Sequence, residues 1–383
     1  MINKRKTIKI INVVGARPNF VKIIPIIREM DKYKVIKKLL VHTGQHYDFE
    51  MSQSFFEDLQ IPPADINLGV RFASNVLQIA EIMKRFEKIC LEEKPDLILV
   101  VGDVNSALAC SLVASRLNIK LAHIEAGLRS FDRTMPEEIN RLITDSISDY
   151  LFTTCNDANL NLLKENISKE KIYFVGNVMI DSLIYNLREI SSKYLRVEGS
   201  SYAVLTLHRQ SNVDNKERLL TIIKLLRNIS CRIPIIFPAH PRTLKQINKF
   251  NFLDYFIITK FSRFDSNLLE KYNYKGIFLV EPLSYLVFLK LYSNAKFVLT
   301  DSGGIQEETS FLNIPCITLR ENTERPITIY KGTNYLIGNN YRLVKRVVDL
   351  ILSGNAKRKK DIELWDGKTS QRIVRILLRS LRK

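Results

Sequence analysis

A chain of 383 residues, 46% of them hydrophobic, is long enough to bury a sizeable core and to form two domains. Its 58 basic and 40 acidic side chains leave a net charge of +18, which suits nucleic acid, an anionic membrane surface or a phosphorylated substrate. The first two are disfavoured, because the lysines are spread along the chain and the one dense run, KRKK at 357–360, has no interleaved aromatics and reads as a solvated basic surface.

The chain opens MINKRKTIKIINVV, a short charged start with no small-residue cleavage site, and no apolar run reaches the roughly 18 residues of a membrane span, so a cytoplasmic protein is expected. In chain order the first half offers strand candidates at 8–14, 37–43, 96–102, 120–125, 150–154 and 172–176. Helix-period segments lie between them at 74–94, 105–117, 136–148 and 156–165. The runs IKIINVV and DLILVVG are apolar nearly throughout, as strands buried on both faces must be, which predicts a parallel sheet flanked by helices. A polar stretch at 188–201 reads as a linker, after which the rhythm resumes with strands at 202–208, 233–240, 276–282, 295–304 and 314–320. The expectation is α/β, with two Rossmann-like, doubly wound domains, 1–190 and 200–360. The five cysteines, Cys90, Cys110, Cys155, Cys231 and Cys316, are scattered and without a CxxC pair, so they read as small buried residues and not as a disulfide framework or a metal site.

In open α/β sheets ligands bind beyond the carboxyl ends of the strands. Those ends read GARPN, TGQHYD, GDVNS, HIEAGLR, LHRQSNVD, PAHPR and TDSGGIQEE, and all five histidines, His42, His46, His123, His208 and His240, fall at or within two residues of them. In TDSGGIQEE the chain leaves a strand and opens a helix, so Ser302, Gly303 and Gly304 can cradle a phosphate on unpaired N–H groups. Glu307 and Glu308, one turn on, can accept from ribose hydroxyls. GARPNF lacks the GxGxxG pattern, which argues against a nicotinamide enzyme; Arg17 and Lys22 instead put cations at a helix opening, suited to a diphosphate.

Taken in order, GARPNFVKIIPI, TGQHYD, VVGDVNSALACSLVA, HIEAGLRS, PEEINRLITD, GNVMIDSL, LHRQSNVD, PAHPR, LTDSGGIQEE, ENTERPITIYKGTNYLIG and DGKTSQRIV resemble the non-hydrolysing UDP-N-acetylglucosamine 2-epimerases along nearly the whole chain. That resemblance implies a GT-B-like fold, two domains facing a central cleft, with a C-terminal helix near 368–383 returning to the first domain. It also implies inversion at C2 of a UDP-amino sugar by loss and re-addition of UDP through a 2-acetamidoglucal, with no cofactor and no metal, in a cytoplasmic homodimer feeding cell-surface polysaccharide synthesis. Hydrolysing relatives that release N-acetylmannosamine lack EAGLR. A related UDP-amino sugar, such as UDP-N-acetylfucosamine, is the alternative substrate; a GT-B glycosyltransferase, or a non-catalytic binder of nucleotide sugar or nucleic acid, is the alternative class.

By the same resemblance Asp103, Glu125 and Glu137 are the acids about the sugar. Arg17, Lys22, Arg141 and His208 are the basic groups on the leaving diphosphate, with His208 in the catalytic set. His240, Ser302, Gly303, Gly304, Glu308 and Arg325 complete the UDP site, with Arg320 nearby and Glu308 preferred over Glu307 for the ribose. Arg141 stands four residues after Glu137, so it is expected to orient that carboxylate, while Glu138 points elsewhere. Gln45, His46 and Arg209 match regulatory positions of relatives activated by their own substrate. Asp48, Gln210 and Ser211 depart from those relatives, and this predicts hyperbolic kinetics.

Overall fold

The computed structural model describes residues 7–44, 59, 61–72, 74–190, 201–261, 266–338 and 340–382. They fall into two compact units, Met1–Tyr185 with Glu363–Lys383, and Asn186–Ile362. The expected linker lies mostly outside the described residues, as do Gln45, His46 and Asp48.

Unit 1 runs β1 (Ile8–Val14), α1 (Arg17–Met30), β2 (Ile36–His42), β3 (Ile66–Asn67), α2 (Asn75–Glu93), β4 (Leu97–Val101), α3 (Asn105–Arg116), β5 (Lys120–Ala126), α4 (Pro136–Ile147), β6 (Tyr150–Thr153), α5 (Asn156–Lys164), β7 (Ile172–Phe174) and the start of α6 (Val178–Glu189). Its seven strands are ordered β3-β2-β1-β4-β5-β6-β7, and every pairing is parallel. The chain order reverses between β1 and β4, which makes their carboxyl ends the switch point where such sheets bind ligands.

Burial explains the elements. All of β4, LILVV, is buried, as a central strand covered on both faces must be. On α2, Ile82, Phe86 and Cys90 recur every fourth residue and pack with Ile11, Val13, Ile98 and Val100 of the sheet. Phe86 is fully buried, so its truncation to alanine would cost about 3–5 kcal/mol.

Unit 2 comprises β8 (Ala203–Thr206), α7 (Gln210–Val213), α8 (Lys216–Ser230), β9 (Ile235–Pro238), α9 (Pro241–Lys249), β10 (Ile257–Ile258), α10 (Ser266–Lys271), β11 (Ile277–Val280), α11 (Tyr285–Ser293), β12 (Phe297–Thr300), α12 (Gly303–Leu312), β13 (Cys316–Thr318), α13 (Ile327–Tyr330), β14 (Asn334–Leu336) and α14 (Tyr341–Leu352). The second seven-stranded sheet is also parallel, ordered β10-β11-β9-β8-β12-β13-β14. Its switch point falls between β8 and β12. Leu205, Ile235, Phe237, Leu279 and Leu299 form its core with Ile222, Ile223 and Leu226 of α8 and Val344, Val347 and Val348 of α14.

The last helix, α15 (Thr369–Leu381), packs on α1 and belongs to unit 1. Its amino end is capped by Asp181 of α6, whose carboxylate accepts from the Thr369 N–H (3.1 Å) and from the Ser370 N–H and hydroxyl (2.7 Å each). Among the described residues no helix is long and apolar enough to cross a membrane.

Candidate functional site

In unit 1, Asn19 joins the ends of β1 and β4. Its side-chain oxygen accepts from the Gly15 and Ala16 N–H groups (3.2 and 2.9 Å), and its amide donates to the Val101 carbonyl (3.0 Å). This is the local reason for the sequence GARPN, with proline in the first turn and a short polar residue reaching back over the turn. Beyond Val101 comes Gly102 at φ +69°, a left-handed turn natural to glycine. A Cβ there would lie 3.5 Å from the Lys22 ammonium and 3.6 Å from both the Asn19 amide nitrogen and the Glu125 carboxylate, in ordinary contact, so it is the positive φ and not lack of space that favours glycine.

Glu125 is also left-handed, at φ +67°, and the β5/β6 register shifts between Ile124 and Ala126. For a residue with a Cβ this costs about 1–2 kcal/mol, as at a bulge that re-aims a side chain. The result is a buried ion pair between Glu125 Oε2 and Lys22 Nζ, with side chains only 3% and 9% exposed. Glu125 Oε1 is buried with no hydrogen-bond partner among the described residues. A buried carboxylate oxygen left unpaired is costly.

Asp103 follows the Gly102 turn with its side chain one-third exposed and ion-paired to Arg141 Nη1. Its backbone carbonyl accepts from the Asn140 amide at 2.8 Å. Here one expectation is corrected. Arg141 pairs with Glu138 (2.7 Å) and Asp103, not with Glu137, which is exposed, whereas Glu138 is buried. The reason is the loop 128–135, which folds over the first turn of α4. Its Ser130 and Phe131 N–H groups need an acceptor, and Glu138 supplies it at 2.9 Å to each. Burial opposes ionisation of Glu138, but the Ser130 N–H and the Arg141 guanidinium hold its carboxyl below the ordinary range. Glu138, expected to point elsewhere, is thus drawn into the cluster, and Asn19 and Asn140, to which the sequence assigned no role, lie in the first turns of α1 and α4. Arg17 opens α1, half-buried.

In unit 2 the anchor is Asp301, another residue the sequence did not single out. It is wholly buried, accepts from the backbone N–H groups of His208 (3.0 Å) and Arg209 (2.9 Å) and from Asn212 (3.2 Å), and ion-pairs with His208 Nδ1 at 2.9 Å. Despite its burial, His208 and those N–H groups keep the carboxyl below its usual range. Arg209 donates through Nε to the Asp301 carbonyl (3.2 Å). His240 caps α9 by accepting from the Arg242 N–H (3.2 Å), and its ring lies 5.6 Å from that of His208.

Ser302 stands at the N-cap of α12 without a side-chain capping bond, so the first N–H groups of that helix point to an anion-binding position. At Gly303 a Cβ would come within 2.6 Å of Arg325 Nη1, the far end of a flexible side chain, so a larger residue there would displace the guanidinium. Gly304 follows in the first turn. Arg325 pairs with Glu307 (3.0 Å) and with Glu324 (3.4 Å), which also receives the Arg320 guanidinium (2.7 Å). Although buried, Glu324 is held far below its usual range by Arg320 and Arg325. Glu308 has the opposite fate. Burial pushes its carboxyl up to about 7, against the opposing hydroxyls of Tyr292 and Tyr285, each donating at 2.8 Å. Among the described residues no group of three or more His, Cys, Asp or Glu could hold a metal ion.

The two switch points thus carry different chemistry: paired and unpaired carboxylate oxygens with one lysine in unit 1, and an uncapped helix terminus with histidine and arginine in unit 2. Known proteins with this pattern agree. The family profile described as UDP-N-acetylglucosamine 2-epimerase matches residues 28–378. A UDP-N-acetylglucosamine 2-epimerase of Methanocaldococcus jannaschii is 44% identical over 95% of this chain and 97% of its own. A Pseudomonas aeruginosa protein named UDP-2,3-diacetamido-2,3-dideoxy-D-glucuronate 2-epimerase is 36% identical over 86% of this chain and 88% of its own. The crystal structure of the Methanocaldococcus jannaschii UDP-GlcNAc 2-epimerase in complex with UDP-GlcNAc and UDP matches with a TM-score of 0.85 at 43% identity, covering 97% of this chain and 100% of that one. With both parallel sheets and nearly the full sequence matched, the chain belongs to the UDP-N-acetylglucosamine 2-epimerase family, isomerases of GT-B-like α/β fold.

Proposed function

We propose that this chain is a non-hydrolysing 2-epimerase interconverting UDP-GlcNAc and UDP-ManNAc. The observation that carries the reading is Glu125, bent into a left-handed conformation with one oxygen on Lys22 and the other buried without a partner. The C2 hydrogen of the sugar is not adjacent to a carbonyl, so its removal demands that cleavage of C1–O run ahead and build positive charge on the ring. Carboxylates held close to the ring stabilise that charge. Asp103, Glu125 and Glu137 supply them; one takes the C2 proton while UDP leaves with the C1–O electron pair, giving the 2-acetamidoglucal. Protonation of C2 from the opposite face and return of the UDP oxygen to C1 complete the inversion. His208, oriented by Asp301, serves the departing UDP with Arg17, Lys22 and Arg141. Ser302, Gly303, Gly304 and Arg325 hold phosphate, with His240 beside His208, and Glu308 meets the ribose.

A second substrate is favoured by one observation: the Pseudomonas aeruginosa relative is named for a diacetamido-glucuronate sugar, so a more heavily substituted UDP-amino sugar is the alternative. Proton NMR in heavy water with UDP-GlcNAc, then with other UDP-amino sugars, decides. Deuterium entering C2 together with a new manno-configured UDP-sugar is expected. Free N-acetylmannosamine as the product would make the enzyme a hydrolase, and absence of C2 exchange with every sugar would end the epimerase reading.

A further inference from the structure

Behind the unit 1 carboxylates sits a group that the reaction above does not use. His123 is fully buried on β5, two residues before Glu125. Its Nδ1 meets Asp145 Oδ1 at 2.6 Å and its Nε2 meets the Gly102 carbonyl at 2.9 Å. A carbonyl oxygen only accepts, so Nε2 carries a proton. Asp145 is equally constrained, because its second oxygen accepts from the Gly127 N–H (3.0 Å) and pairs with Arg129 (2.7 Å), as an ionised carboxylate does. Nδ1 therefore carries a proton too. Arg129 is in turn held by both oxygens of Glu165 (2.8 and 2.6 Å). Glu165 is exposed, so the buried part of the group is Arg129, Asp145 and His123, and in it both ring nitrogens of His123 face acceptors.

The Gly102 carbonyl belongs to the peptide that joins Gly102 to Asp103. Glycine at φ +69° is the least restrained residue of the turn, and it immediately precedes a carboxylate that must be held within a fraction of an ångström. The next carbonyl, that of Asp103, is held by Asn140. We propose that His123, as an imidazolium clamped between Asp145 and the Gly102 carbonyl, is a positioning residue that fixes the Gly102–Asp103 peptide and with it the Asp103 carboxylate. The role rests on the epimerase reading given above.

Two measurements test it. In wild-type protein labelled with [15N]histidine, NMR at neutral pH is expected to show one imidazole, slow to exchange in heavy water because it is buried, with both ring nitrogens protonated. A slowly exchanging ring with a single N–H overturns the clamp. In a His123→Gln variant shown to be folded by its thermal transition, kcat is expected to fall by about tenfold or more while KM for UDP-GlcNAc stays within about threefold, since a misplaced carboxylate slows chemistry and not binding. An unchanged kcat, or a rise confined to KM, overturns the positioning role; should that variant not fold, Asp145→Asn, which removes the negative charge facing Nδ1, is read against the same criteria. If the wild type epimerises no UDP-amino sugar, the functional reading fails and takes the positioning role with it, while the NMR result still decides the charge on His123.

Discussion

Lys22 is only 7% exposed, and its ammonium is compensated by Glu125 alone among its ion pairs in the described residues. Glu125→Gln keeps a hydrogen-bonding oxygen for that lysine and removes the charge that the proposed mechanism sets against the sugar ring. We expect kcat to fall by about two orders of magnitude or more with UDP still bound, measured by initial rates and calorimetry; turnover near the wild-type value would remove Glu125 from the chemistry. Glu308 makes a prediction of different kind. Its carboxyl is raised from 4.5 to about 7 in the folded protein, so between those values the folded state keeps a proton that the unfolded state releases. Stability of the unliganded protein therefore falls as pH rises through that window and levels off above it, with a contribution of at most roughly 1.4 kcal/mol per pH unit. Thermal transitions of wild type and Glu308→Gln should diverge across that range, the variant lacking this slope; parallel curves would refute it. At this scale legibility was uneven. Strand-end acids and the SGG turn were visible because glycine and charge at a strand end have few other uses, whereas helical spacing offers Arg141 both Glu137 (i,i+4) and Glu138 (i,i+3), and the choice depended on a loop folding back over α4.

Elements were legible where burial stamps a pattern on them. β1 and β4, apolar along their length, stand where their runs predicted, and so do the helices at 105–117 and 136–148 to within a residue or so. β3, β10 and β14 were missed; strands of two or three residues are too short for any periodicity and exist because the neighbouring strand offers an open ladder. The docking of α15 is also invisible in local pattern, since its cap comes from Asp181, far away in sequence. Asp181→Ala leaves three donors at that helix end without an acceptor, and each buried unmade bond costs about 1–3 kcal/mol. We expect a lowered unfolding transition and faster proteolysis within 363–382, read by calorimetry and mass spectrometry of the fragments. An unaltered fragment pattern would show that apolar packing alone holds the helix.

Across the whole molecule the charge of +18 comes from basic residues spread along the sequence. Its expected effect is on encounter with an anionic nucleotide sugar: kcat/KM should fall several-fold as ionic strength rises from about 0.01 to 0.15 M, where the screening length shrinks from about 30 to 8 Å, with kcat little changed. Salt-independent kcat/KM would assign the charge to solubility alone. The two-sheet architecture was readable from alternating apolar runs. How the chain is shared between the units was not legible in those runs, because it depends on where α15 docks; only the family resemblance led to the expectation that this helix returns to the first domain. Unit 1 is discontinuous, taking residues up to Tyr185 and then Glu363–Lys383, whereas unit 2 is one uninterrupted segment. A ribosome delivers the chain from its amino end, so unit 2 is complete and free to fold while unit 1 still lacks α15. The half that is begun first is finished last, and until then the apolar face of α1 that α15 will cover stays open to chaperones or to aggregation.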